Sequence, residues 1–384
     1  MTCGKPRHPR TAAHSKTDRM TFRKLINDLH LWLGLASGII LFLVCLSGTA
    51  LTFEHEIKAA GQEVITVRPL GEPLTIVRLA QRLEAEDYGT VTAVTLPATE
   101  TEPWTFTVKQ DPTERRGRNL LVDPYTGTVH EPPTASAYDG FFRTMFRLHR
   151  WLLLDTEVGR PIVGVATVIF IFLALSGLVL WFPRRLRWKN LRHGFRIKTD
   201  GSRKRLNHDL HNTLGFYACF FLVVMGLTGL CWSFEGYREG LGTVLNAPVF
   251  NRGGVELDVE PMGPGAIPPD RAVTLAAAAF PYPGELSVAL PNARSPYYGI
   301  RKYAADAWST VAYDQLYLDG TGRELARIAY ADKSLGERIA AAIKPLHTGE
   351  VFGTLSKWIY FMACLIATSL PVTGTIIWIN KLRK

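Results

Sequence analysis

Charged side chains are missing from four long stretches of this 384-residue chain: Leu29 to Phe53, Pro161 to Pro183, Asn212 to Phe234 and Trp358 to Asn380. A soluble core breaks its apolar residues with surface charge every few positions, so uncharged runs of this length exclude an ordinary soluble domain. At about 1.5 Å per residue each run spans the roughly 30 Å hydrocarbon layer, and four membrane-spanning helices are predicted. No Gly-x-Gly-x-x-Gly follows a strand and opens a helix, no Walker A sequence is present, and no nucleophile–base arrangement is recognisable. The chain thus carries no sign of its own nicotinamide, flavin or nucleotide site. Cysteine is scarce: Cys45, Cys219, Cys231 and Cys364 fall inside the predicted spans and Cys3 near the N-terminus, with no paired spacing for a disulfide, zinc or iron–sulfur centre.

The net charge of +10 is unevenly placed. Residues 1–28 hold seven Lys or Arg against two acids, residues 183–207 ten against one, and the tail after Asn380 three against none. Basic residues beside spans resist translocation, which puts these segments and both termini in the cytoplasm and the two long connections outside. The expected organisation is a basic N-terminus (1–28), a first span (29–54), an external domain (55–148), a second span (149–183), a basic loop (184–207), a third span (208–235), a second external domain (236–345), a fourth span (346–380) and a cytoplasmic tail (381–384). Topology and anionic headgroups account for the basic excess, so a lipid bilayer is expected as partner and nucleic acid is not. The first apolar run is too long for a signal-peptide core and reads as an uncleaved anchor.

Residues 27–54 overlay 208–235 without a gap at an offset of 181, with ten identities in 28 positions. Hydrophobicity explains the shared leucines but not the shared Asp28/Asp209, His30/His211, Gly34/Gly215, Gly48/Gly229 and Glu54/Glu235. Further on, His149 matches His347 at an offset of 198, and Gly177 and Trp181 match Gly374 and Trp378 at 197. The strand-turn-strand strings around Asp123 and Asp319 match as well. The expected fold is a four-transmembrane-helix bundle built from a tandem parallel repeat, with two external α+β domains and a pseudo-two-fold axis along the membrane normal.

That axis sorts the ten histidines. His30 and His211 form one pair at the cytoplasmic ends of spans one and three; His149 and His347 form another just outside the external ends of spans two and four. Paired imidazoles facing across an axis in a four-helix bundle are what a six-coordinate haem requires. Inner and outer pairs are too far apart to share one, so two haems are the economical reading. The competing reading makes the histidines headgroup anchors or packing residues. Gly34, Gly38 and Gly215 allow close backbone approach, either for helix contact or for a flat macrocycle. His208 shares a helix face with His211 but matches Asn27, which suits an alternate or supporting ligand. Arg143, Arg147 and Arg150 around His149 suit haem propionates or a lipid interface.

The DLHxxxG strings at His30 and His211, the LH…SG…LW pattern from His149 to Trp181, LHTGEVFG at His347 and the VDPYTG/LDGTG units resemble the PepSY-associated transmembrane helix proteins. The resemblance covers nearly the whole chain after residue 20 and is nearest to bacterial inner-membrane ferric-siderophore reductases of the ferrioxamine type. It implies PepSY-like domains in the periplasm, two b-type haems held by His30 with His211 and by His149 with His347, a ferric siderophore as substrate, and an electron donor in the cytoplasm or membrane. Two other functions stay open: a non-enzymatic membrane-anchored module that binds ligands or regulates a protease, and a siderophore permease, which the scarcity of polar lining and of broken helices disfavours.

Overall fold

The computed structural model describes residues 22–383 apart from 62, 112, 115–116, 131–136, 186, 251–256, 258, 260–262 and 264. Most of the basic N-terminal segment lies outside the described residues.

The first half of the chain begins with the long helix α1 (Phe22–Leu51), followed by α2 (Glu54–Ala60) and α3 (Ile76–Ala85). Strands β1 (Thr90–Leu96), β2 (Trp104–Lys109), β3 (Arg118–Val122) and β4 (Val129–His130) come next, then α4 (Ala137–Trp151) and the long α5 (Thr156–Trp181). A short α6 (Trp188–Leu191) leads into a second half with the same succession. There α7 (Arg203–Asp209), a wide π-type turn at Leu210–Leu214 and α8 (Gly215–Ser233) form one long rod. Helices α9 (Glu235–Leu245) and α10 (Pro269–Ala279) follow, then β5 (Gly284–Ala289), β6 (Tyr298–Ala304), β7 (Tyr313–Leu318), β8 (Glu324–Ile328), α11 (Leu335–Thr348) and α12 (Gly353–Leu382).

Helices α1, α5, α7–α8 and α12 are long and apolar enough to cross a bilayer, so this is a multi-pass membrane protein. Helix α12 runs unbroken through Pro371. Two predicted spans differ from expectation at their sheet-side ends. Residues 149–183 and 346–380 are each divided, so that His149 and His347 lie on separate helices, α4 and α11. Left-handed backbone at Leu152 (φ 55°) and Leu153 (φ 61°) makes the first break, and Gly349 (φ 82°) and Gly353 (φ 66°) make the second. The first break is tight: a Cβ on Gly159 would come within 2.1 Å of the Trp151 carbonyl oxygen, so α5 crosses the end of α4 with glycine at the contact.

The strands form a single antiparallel sheet in the order β4-β3-β2-β1-β5-β6-β7-β8. Its halves join where β1 pairs with β5, with Val94 opposite Val288, both fully buried. The extramembrane segments expected as two separate domains therefore share one sheet. They also share one core, in which Leu79 and Leu83 of α3 and Ala272 and Ala276 of α10 pack with inward residues from both sets of strands. Pairing β1 with β5 removes an exposed edge from each half. The matched turns form as the sequence predicts: Asp123 Oδ1 accepts from the Tyr125 N–H at 2.8 Å and Asp319 Oδ1 from the Thr321 N–H at 2.9 Å.

Candidate functional site

The four matched histidines come together as two facing pairs. His30 and His211 have ring centroids 6.4 Å apart with planes at 89°. His149 and His347 are 6.1 Å apart at 57°. The first pair lies toward the end of the bundle remote from the sheet.

Each ring is held through Nδ1. His30 Nδ1 lies 2.8 Å from Ser176 Oγ, whose own proton goes to the Leu173 carbonyl. His211 Nδ1 lies 2.9 Å from Thr373 Oγ1, which likewise donates to the Ser369 carbonyl. His149 Nδ1 meets the Val44 carbonyl at 2.8 Å, and His347 Nδ1 meets the Met225 carbonyl at 3.0 Å with Thr228 Oγ1 at 3.2 Å. Carbonyls only accept, and the Ser176 and Thr373 hydroxyl protons are engaged elsewhere, so Nδ1 carries the proton in all four rings. Nε2 keeps its lone pair and has no hydrogen-bond partner among the described residues. Metal-binding imidazoles are oriented in this manner, with the remote N–H donating to a fixed acceptor.

The outer pair lies deeper than expected. His149 and His347 were predicted just outside the ends of their spans, yet they reach the levels of Val44 to Gly48 on α1 and Met225 to Gly229 on α8. Helices α4 and α11 dip into the bundle before the breaks and carry their histidines inward of the chain turns themselves. Gly48 stands 18 residues after His30, so the two pairs are separated by about 27 Å of helix.

The spacing fits a metal between each pair. Two metal–nitrogen bonds of about 2 Å leave about 2 Å for the two ring radii, which imidazoles fill when both Nε2 atoms face the centre. Two imidazoles alone leave a metal under-coordinated, and among the described residues no group of three or more His, Cys, Asp and Glu is placed to hold one. A planar macrocycle that brings its own four nitrogens would complete the set. At the remote pair a cavity of about 670 Å³ opens around His30 and His211, walled by residues such as Leu35, Phe170, Leu173 and Leu370. Arg23, Lys24, Arg184 and Lys381 are its charged lining residues, which suits a ligand with an apolar body and an anionic margin.

Glycine makes room for each imidazole ring, at positions that the sequence did not single out for this role. A Cβ on Gly48 would stand 2.9 Å from His149 Cε1, and on Gly229 3.1 Å from His347 Cε1. At Gly177 it would stand 3.4 Å from His30 Cε1, and at Gly374 3.2 Å from His211 Cε1. Gly34, Gly38 and Gly215 face Leu173, Pro371 and Leu370 across helix contacts, and Gly34 and Gly215 also line the cavity at His30 and His211.

The predicted supporting residues separate. Arg150 is half-buried over the rings of Phe146 and Trp151. Arg143 and Arg147 are exposed on α4. His208 is exposed, lines the remote cavity, and sits 3.6 Å from the buried Asp209, which Arg205 also pairs at 2.9 Å. Sequence reasoning missed Ser176, Thr373 and Thr228. The first two occupy matched positions at the offset of 197, where a hydroxyl residue in each copy was the available signal.

Fold and site together define a four-span membrane protein with an extramembrane sheet and two histidine pairs stacked along its bundle. The chain belongs to the PepSY-associated TM region family, whose model matches residues 28–381. No curated protein matches it.

Proposed function

We propose that this protein carries electrons across a bacterial inner membrane through two b-type haems and reduces a ferric siderophore in the periplasm. The observation that carries the reading is the pairing of four imidazoles, each with a fixed Nδ1–H and an Nε2 that has no partner among the described residues, at metal-spanning distance. His30 with His211 would hold the inner haem, and His149 with His347 the outer. Haem iron supplies reversible one-electron chemistry when bound.

The chain's own residues do the remaining work. Ser176, Thr373 and the Val44 and Met225 carbonyls hold the rings in orientation and keep each Nδ1 proton in place. The bundle's apolar side chains exclude water, and the basic lining of the inner cavity suits propionates. We read the two halves as a tandem parallel repeat, with the basic segments cytoplasmic and the sheet periplasmic. Siderophore oxygens are hard ligands that favour iron(III), so one-electron reduction weakens the complex and frees iron(II). The electron donor is a cytoplasmic or membrane reductant.

Full-length protein in lipid nanodiscs, chemically reduced and freed of reductant, should convert a ferric hydroxamate to trapped iron(II) in proportion to protein. A chain that stays reduced in excess ferric chelate would remove the siderophore from the account.

A further inference from the structure

A mirrored pair of cations stands level with the outer histidines, and only one has a counter-ion. Ser176 touches His30, and Arg160 lies 16 residues back along α5; Val44 and Gly48 lie 14 and 18 residues on from His30 along α1. Rise per residue therefore places Arg160 at the height of His149. The same count from Thr373, beside His211, places Lys357 at the height of His347.

Lys357 is 6% exposed and fully compensated, with Nζ 2.7 Å from Glu56 and 3.2 Å from Glu350. Neither carboxylate has an equivalent in the other half: at an offset of 181 Glu56 matches Tyr237, and at 198 Glu350 matches Leu152. Accordingly Arg160 makes no ion pair or hydrogen bond among the described residues, and its Nε is buried without an acceptor. The Trp151 Nε1–H is buried without an acceptor too. These two orphaned donors flank one crossing, where Gly159 packs on the Trp151 carbonyl, two residues after His149.

Arg160 as a whole is half-buried, but its Nε–H is sealed from solvent; arginine does not deprotonate in proteins, and a buried donor without an acceptor is costly. Buried donors in native structures find acceptors, and none is present among the described residues. We propose that Trp151 and Arg160 form the anion-binding corner of the outer site, donating hydrogen bonds to a propionate of the porphyrin held between His149 and His347. The ligand class is a carboxylate: its two oxygens suit a guanidinium fork and an indole N–H together. The assignment rests on the reading of the outer pair as a haem site. It makes the outer haem's seat asymmetric, with its acidic margin turned toward α4 and α5 and away from the neutralised Lys357.

The test uses the full chain carrying His211→Ala, so that the outer pair alone binds, loaded with haem or with haem dimethyl ester. Release to excess apomyoglobin is followed by absorbance. With the corner intact, the ester should leave at least about tenfold faster than haem, the worth of one charge-assisted hydrogen bond. Arg160→Gln should speed haem release by a similar factor and erase the difference, Trp151→Phe should do so by a smaller factor, and Arg160→Lys should recover part of it. Equal release of haem and ester with Arg160 and Trp151 present overturns the corner, and that comparison needs no corner variant to fold. If no haem binds, the haem reading itself fails along with the corner; if haem binds and leaves at the ester's rate, only the corner fails.

Discussion

Substituting Gly48 by alanine separates the needs of the site from those of the fold. The added methyl would sit 2.9 Å from Cε1 and 3.2 Å from Nδ1 of His149. Carbon atoms prefer separations of about 3.5–4.0 Å, so the ring must retreat by about 0.6 Å or more. That displacement takes the 2.8 Å Nδ1···Val44 contact to the edge of hydrogen-bonding range. Losing it leaves a buried N–H unpaired, at about 1–3 kcal/mol, and disturbed outer-shell support of a metal ligand typically lowers affinity by about 10- to 100-fold. Alanine is the better helix former by about 1 kcal/mol, so the α1 helix itself gains. Gly48→Ala should therefore release the outer haem at least about tenfold faster, while the ligand-free chain, gaining about 1 kcal/mol of helix propensity against about 1–3 kcal/mol for the stranded N–H, holds its thermal stability or loses up to about 2 kcal/mol. Gly229→Ala, Gly374→Ala and Gly177→Ala should follow in order of decreasing effect, since their contacts are 3.1, 3.2 and 3.4 Å. The assay is haem release to apomyoglobin with circular-dichroism melting of the same samples. Haem release at the parent rate from Gly48→Ala, or Gly177→Ala as the most damaging of the four, would refute the reasoning.

Thr373→Val should strand the Nδ1 proton of His211 and weaken the inner haem about tenfold, with Thr373→Ser restoring it; a redox titration that resolves the two haems reports which one moved. Lys357→Met leaves Glu56 and Glu350 without their cation, and because Glu56 is partly exposed the cost should be about 2 kcal/mol rather than the full penalty of a broken buried pair, read as a lowered melting temperature in detergent. The Glu337 carboxyl is held below its ordinary pKa by the Ser334 hydroxyl and backbone N–H at the start of α11. Its contribution is present above the unfolded value of about 4.3 and is lost as pH falls through the folded one. Glu337→Gln should therefore narrow the stability gap between pH 6 and pH 3.5 in melting curves, and an unchanged gap would assign the acid limb to other groups.

Much of the site was legible because equivalent positions can be read by subtraction. The offsets of 181 and 198 pair His30 with His211 and His149 with His347, and the structure brings each pair face to face. The depth of the outer pair was not legible, because residues 149–183 read as one continuous helical run. The break rests on left-handed backbone at Leu152 and Leu153, residue types that give no turn signal. The shared sheet was hidden for another reason: Val94 and Val288 meet across 194 residues, and no local pattern encodes which edges pair. The glycines that receive the imidazoles were not legible, since the rings reach across to α5, α12, α1 and α8, where Gly177, Gly374, Gly48 and Gly229 lie far from them in sequence. Arg160 stands just before an uncharged run and looks like a flanking charge until its missing counter-ion is seen.

The pyridine haemochrome assay on the purified full-length chain tests the central claim most directly. Two b-type haems per chain are expected, falling to one in His30→Ala and to one in His149→Ala. A colourless protein from porphyrin-replete cells, or a haem count that neither substitution lowers, would contradict it.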